Sequence, residues 1–313
     1  MSPAQKNKKI IFIGGVSYSG TTLLDMILGH DTHGFSGGEI QGVFLNKEGF
    51  DCACKKDICD IWNSIKKSGY KNVYDNIFKM LPEIKFIVDS SKSIYWIEHN
   101  SNVVSYPHVH LLIFKSPVES AFSFKKRGKL HNWEQEWVNY HLSYFNLFTN
   151  WTAIAYSKLV HSSKHLENLC KSLDIPYFLN KHKYWLKQHH TIGGNLSTKI
   201  HTFNNDQFNA AVKKLHNSIP DYSFCQNKIQ SLYYDNIDNK TFQYVTERKK
   251  INPIISDIET VLQLKQDFAK EADLEASRLI KKLPSPPVSF YKRFRYRVKL
   301  NLRSWLLQFS MYS

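Results

Sequence analysis

Acidic residues are scarce in this chain. Its 27 Asp plus Glu stand against 42 Lys plus Arg, which leaves a formal charge of +15 and an isoelectric point near 9.4. That balance points to an anionic partner, and nucleotide, sulfated or phosphorylated glycan, membrane surface and nucleic acid are all compatible with it. Cysteine is sparse and odd in number, five in 313 residues (Cys52, Cys54, Cys59, Cys170, Cys225). This argues against the disulfide framework of a secreted protein and for a reducing compartment. No stretch reaches the roughly 18 apolar residues of a membrane span. The run Ile10 to Gly15, which follows a basic Met1 to Lys9, is too short for the apolar region of a signal peptide. The chain is therefore expected to be cytoplasmic, and peripheral to a membrane at most. No internal repeat or low-complexity tract is present. With 42% apolar and 14% aromatic residues, bulk disorder is excluded.

Three short apolar runs read as buried parallel strands: Lys9 to Gly15, Ile84 to Asp89 and Val109 to Phe114. Each ends in polar, site-like residues, and helical patterns separate them. This predicts an α/β fold, a P-loop type doubly wound parallel sheet flanked by helices, with ligands beyond the carboxyl ends of the strands. Beyond Asn132 the pattern is mostly helical, over Trp133 to Thr149 and Lys158 to Leu173. A long amphipathic stretch runs from Ser256, a candidate N-cap with Glu259 three residues on, to Leu283 before Pro284. Three parts are expected: residues 1–220 as the P-loop domain, 221–285 as a helical extension packed on it, and 286–313 as a basic amphipathic tail. The stretch from Ser256 would pack on its own domain or form a homodimer.

The loop Gly15-x-x-x-x-Gly20-Thr21-Thr22 has the frame in which backbone N–H groups and a helix N-terminus converge on an anion. A nucleoside-triphosphate site would place Lys directly after the second glycine, where this chain has Thr21. The hydroxyls of Ser17, Ser19, Thr21 and Thr22 would suit an anion of fewer charges. By itself such a loop is equally a tight strand-to-helix turn.

Further segments make the chain similar to P-loop sulfotransferases that use 3′-phosphoadenosine 5′-phosphosulfate (PAPS), in particular bacterial members related to carbohydrate and tyrosylprotein sulfotransferases. Ser17-Tyr18-Ser19-Gly20-Thr21-Thr22-Leu23-Leu24 resembles their 5′-phosphosulfate loop. Lys115-Ser116-Pro117 with Ser123 resembles their 3′-phosphate motif. Gly38-Glu39, the group Cys52, Cys54 and Cys59, Asp89-Ser90-Ser91-Lys92, and His190 to Asn195 with Lys199 resemble bacterial members. The likeness covers about residues 9 to 216. It departs at Tyr18, where a cation is usual, at Lys115, which replaces the commoner Arg, and at Val118, which replaces a basic residue.

What the resemblance implies is in-line sulfuryl transfer from PAPS to a hydroxyl, less readily an amine, of a glycan, glycolipid or small metabolite, leaving PAP. Ser17 to Thr22, Lys115, Ser123 and Lys199 would bind the donor. Glu39 would be the general base, and Lys92 would neutralise the leaving oxygen and stand in for the cation absent at Tyr18. Two alternatives are a non-catalytic PAP- or polyanion-binding relic and an atypical P-loop kinase. No metal is expected: the cysteines lack Cys-x-x-Cys pairs and read as free thiols that organise a loop over the acceptor. His189 and His190 read as packing or acceptor-pocket residues. The tail, residues 288–313, carries Lys292, Arg293, Arg295, Arg297, Lys299 and Arg303 and no acid. It would hold an anionic membrane surface or a polyanionic acceptor, the acceptor itself being a glycan or lipid-linked. Nucleic acid is disfavoured, since no recognition motif accompanies the charge.

Overall fold

The computed structural model describes residues 7–46, 49–54, 59–195, 198 and 237–266. Lys199, Cys225, the stretch 267–283 and the basic tail lie outside the described residues.

Five strands form one parallel sheet: β1 (Lys9–Gly14), β2 (Gly34–Gly38), β3 (Phe86–Asp89), β4 (His108–Phe114) and β5 (Thr152–Ala155), in the spatial order β2-β3-β1-β4-β5. β1 is central. Its Ile11 lies opposite Val88 of β3 on one side and Val109 of β4 on the other. The crossovers are helical: α1 (Thr21–Gly29), the single turn α2 (Gly42–Leu45), α3 (Asp60–Ser68), α4 (Val73–Met80), α5 (Ile94–Val103), α6 (Pro117–Lys125) and α7 (Trp133–Leu147), while α8 (Tyr156–His161) and α9 (Ser163–Ser172) follow β5. Two further helices, α10 (Asn239–Ile251) and α11 (Ile254–Gln266), follow. The chain is therefore α/β.

Why these strands are inside follows from their side chains. β1 contributes Ile10, Ile11, Phe12 and Ile13, all fully buried, because a parallel sheet is covered on both faces. Each such side chain contributes about 1.5–3 kcal/mol of burial free energy. Every residue of α1 is buried, which holds the helix after the glycine loop firmly against β2 and β3. On α7, Trp133, Trp137 and Tyr144 are buried, and a Cβ on Gly14 would lie 2.4 Å from the Tyr144 ring. That glycine lets α7 close over the end of β1.

The three strands read from sequence are present within two residues at either end. Two strands were not read. β2, Gly-Phe-Ser-Gly-Gly, has almost no apolar signal, because Gly34 faces the Phe86 ring and Gly37 faces Ile40 at distances that leave no room for a side chain. β5 is four residues long and lies in a region that otherwise reads as helical. The candidate N-cap Ser256 is corrected: α11 begins at Ile254, directly after Pro253, and Ser256 lies inside it with its carbonyl accepting from the Thr260 hydroxyl (2.9 Å). Glu259 is held by Lys249 of α10 at 2.5 Å, not by a capping box. α11 packs on β5 and α7, and α10 packs on α6. Among the described residues no helix is long and apolar enough to cross a membrane.

Candidate active site

All the polar segments singled out in the described sequence lie at or beyond the carboxyl edge of the sheet. The β1–α1 loop ends at Gly20, whose φ of +105° makes it a left-handed N-cap for α1. The first turn of α1 carries no acid to compete for an anion. Ser19 is buried, and its Oγ has no hydrogen-bond partner in the structure. A buried hydroxyl costs about 1–3 kcal/mol when left unsatisfied, so its presence in a glycine loop at a helix N-terminus fits an anion that completes it. A Cβ on Gly15 would lie 2.4 Å from that Oγ, so glycine keeps the cradle open. Ser17 is exposed at the mouth, while Thr21 and Thr22 are buried in the first turn.

The β4–α6 segment reaches the same loop. Ser116 and Glu119 form a reciprocal capping box, and Pro117 opens the helix, which fixes where Lys115 leaves the strand. Lys115 is 2% exposed. Its ammonium donates to the Tyr18 carbonyl (2.7 Å) and to the Ser123 hydroxyl (3.1 Å), two turns along α6, and lies 4.4 Å from the centre of the Tyr156 ring. Burial brings this ammonium down to about 7, against the opposing pull of Glu119. Lys115, Ser123 and the glycine loop are thus one unit.

A second group forms at the ends of β2 and β3. Glu39 and Lys92 make an ion pair, with Lys92 Nζ donating to Glu39 Oε1 at 2.5 Å and both side chains about one-third or less exposed. Lys92 is thus held by Glu39 across the ends of β2 and β3. Its backbone, like that of Tyr18, is left-handed (φ 63° and 68°). Non-glycine residues held there cost about 1–3 kcal/mol each, and such outliers gather at functional sites. Behind Lys92, the Asp89 carboxylate is buried and fully occupied. It accepts from the Tyr74 hydroxyl (2.6 Å), the Trp96 indole (2.8 Å), and the Ser91 amide and hydroxyl (2.8 and 2.5 Å). Asp89 positions the turn that carries Lys92.

Residues 190–195 wall the two groups together. The Glu39 amide donates to the Ile192 carbonyl (2.8 Å), a Cβ on Gly193 would touch the Glu39 side chain at 3.3 Å, and the Asn195 amide donates to the Thr22 hydroxyl (3.0 Å). Tyr140 of α7 adds a further link: its hydroxyl accepts from the Gly15 amide (2.8 Å) and donates to the Lys92 carbonyl (2.8 Å). Sequence reasoning missed Tyr140, which has no motif around it. It also missed Arg127, whose guanidinium lies 4.0 Å from the centre of the Tyr18 ring, with that ring edge-on to Phe124. The run Lys125-Lys126-Arg127 at the end of α6 was the available signal.

The two histidines part ways. His189 is a packing residue, buried with Nε2 against the Tyr184 carbonyl (2.7 Å) and brought down to about 3 by burial. His190 instead joins the cysteines: its Nδ1 lies 3.3 Å from Cys59 Sγ and 4.0 Å from Cys52 Sγ. Burial raises both of those thiols above their ordinary range.

No protein-family model matches the chain, and no curated protein matches it. Among solved structures it is similar to the sulfotransferase domain of the olefin synthase of Synechococcus PCC 7002, with 14% identity, 79% of this chain and 97% of that one covered, and a TM-score of 0.45. It is also similar to the sulfotransferase domain from the curacin biosynthetic pathway, with 17% identity, 78% and 98% covered, and a TM-score of 0.43.

Proposed function

We propose that the chain is a PAPS-dependent sulfotransferase acting on a hydroxyl of a glycan, glycolipid or small metabolite. The observation that carries this reading is the junction of Lys115 and Ser123 with the Tyr18 carbonyl. It sets a second cationic and hydroxyl-bearing segment against a glycine loop that lacks the lysine of triphosphate sites. A donor with phosphates at both its 5′ and 3′ positions matches two such segments meeting. Ser19, Thr21, Thr22 and the N-terminus of α1 would hold the 5′-phosphosulfate, and Lys115 with Ser123 the 3′-phosphate.

In-line transfer asks the protein for position and charge more than for covalent chemistry. The sulfur–oxygen bond to the donor phosphate breaks as one to the acceptor oxygen forms. Glu39 takes the acceptor proton, and Lys92 faces the negative charge that grows on the leaving oxygen. The Glu39–Lys92 pair holds the two side chains adjacent before substrate enters. On the sheet's other half, the Arg127 guanidinium on the Tyr18 ring returns a positive charge to the loop that lacks one in its own sequence.

The test is thermal unfolding in magnesium-free buffer. PAP at a hundred times its Kd is expected to stabilise the wild type by about 2.7 kcal/mol. K115A is expected to lose the response and E39Q to keep it, while transfer from labelled PAPS by E39Q falls about 10²- to 10⁴-fold, the contribution of a general base. Stabilisation by Mg-ATP and not by PAP would overturn the reading in favour of a kinase.

A further inference from the structure

We propose that Cys52, Cys54, Cys59 and His190 bind a structural zinc ion. The sequence spacing argued against this, because Cys52-x-Cys54 with Cys59 lacks the usual paired pattern and only three sulfur ligands are near one another in the chain. Folding brings the fourth from 131 positions beyond Cys59. The three Sγ atoms and one imidazole nitrogen all lie within 4.8 Å of one another. A tetrahedral site with metal–sulfur bonds of about 2.3 Å and metal–nitrogen bonds of about 2.0 Å has sulfur–sulfur edges of ~3.8 Å and sulfur–nitrogen edges of ~3.5 Å. The two sulfur–nitrogen separations, 3.3 and 4.0 Å, fall on either side of that value. All three cysteines are free thiols, Cys52 and Cys59 buried and Cys54 partly so.

The donor set identifies the ion. Three thiolates and one imidazole in a compact group suit zinc and exclude magnesium or calcium, which take oxygen ligands. Four protein ligands leave no open position, so the site is structural and takes no part in transfer. Its place in the fold gives it a task. The segment from His190 onward is attached to the cysteine loop by the Ala53 amide donating to the Thr191 carbonyl (3.0 Å) and the Gly193 amide donating to the Asp51 carbonyl (3.1 Å). The Trp62 indole donates to the His190 carbonyl, and Cys52 and Ile192 form an antiparallel bridge. Ile192 also bridges Gly38, next to Glu39. The ion thus clamps the wall that meets Glu39 and Thr22. The zinc assignment is independent of the sulfotransferase reading, since it rests on the four ligands alone. It replaces the expectation that the chain carries no metal.

Metal content decides it. The full chain is purified under reducing conditions, without chelator and with any affinity tag removed, and analysed by inductively coupled plasma mass spectrometry. The expected result is about one zinc per chain. Replacement by cobalt is expected to give the intense visible bands and the thiolate charge-transfer band of a tetrahedral sulfur-rich site. H190A and C59S are expected to lose the metal, and C170A, at a buried cysteine outside the group, to keep it. Because C59S alters a buried side chain, the wild-type stoichiometry and cobalt spectrum, which do not depend on its folding, are the deciding readouts. Folded wild type with no metal and no uptake of added zinc or cobalt would overturn the proposal. So would full retention by both H190A and C59S, iron in place of zinc, or a disulfide among Cys52, Cys54 and Cys59 in protein prepared under reductant.

Discussion

In the proposed donor site, Lys115 is the residue on which binding turns. Its ammonium is desolvated in the folded chain and sits near 7, well below an unfolded lysine at about 10.4. The unfolded chain therefore binds more protons between these values, and this residue makes stability rise with pH across that window. An anion beside the ammonium has the opposite effect on the group, favouring its charged form and raising its pKa. PAP binding should then take up a proton above pH 7. Calorimetric titrations are expected to show affinity that is flat below pH 7 and falls by up to about tenfold per unit above it, each unit being 1.36 kcal/mol. K115R, whose guanidinium stays charged throughout, should bind with a flat profile above pH 7. A steep fall retained in K115R would assign the proton to another group.

At the scale of elements, the site depends on how closely the His190–Asn195 segment can lie on β2. Gly38 has φ +71°, and a Cβ there would stand 2.3 Å from the Ile192 carbonyl oxygen, a backbone atom with nowhere to go. Gly42, one turn on, has room: its nearest neighbour would be 3.8 Å away. G38A should therefore lose on the order of 1–3 kcal/mol from backbone conformation alone, and G42A almost nothing. For a chain of this size that is a fall in Tm of about 2–12 °C for G38A, at about 2–4 °C per kcal/mol. Equal melting of the two variants in differential scanning calorimetry would contradict the close approach.

The same glycines explain what was legible in the sequence. β1, β3 and β4 announce themselves because parallel strands buried on both faces must be continuous apolar runs, and the glycine loop and Lys115 follow directly from strand ends, whereas Ser123 and the Gly38-Glu39 pair were marked by the family resemblance alone. β2 was silent, because its role is close approach and not burial of large side chains. Tyr140 and Arg127 act through contacts between elements far apart in the chain, so nothing local marks them. His190 was seen, but its partnership with the cysteines required Ile192 to bridge both Cys52 and Gly38.

For the molecule as a whole, the central claim is that the β1–α1 loop and the β4–α6 segment act as one binding site for a single doubly phosphorylated nucleotide. Their shared position at the carboxyl edge of the sheet is what a parallel α/β fold provides. Hydrogen exchange of the full chain, read by mass spectrometry with and without PAP, tests this most directly. The account predicts slowed exchange in peptides covering both residues 15–24 and residues 115–127, abolished together in K115A. Protection of the glycine loop alone, or no protection in either segment, would contradict it.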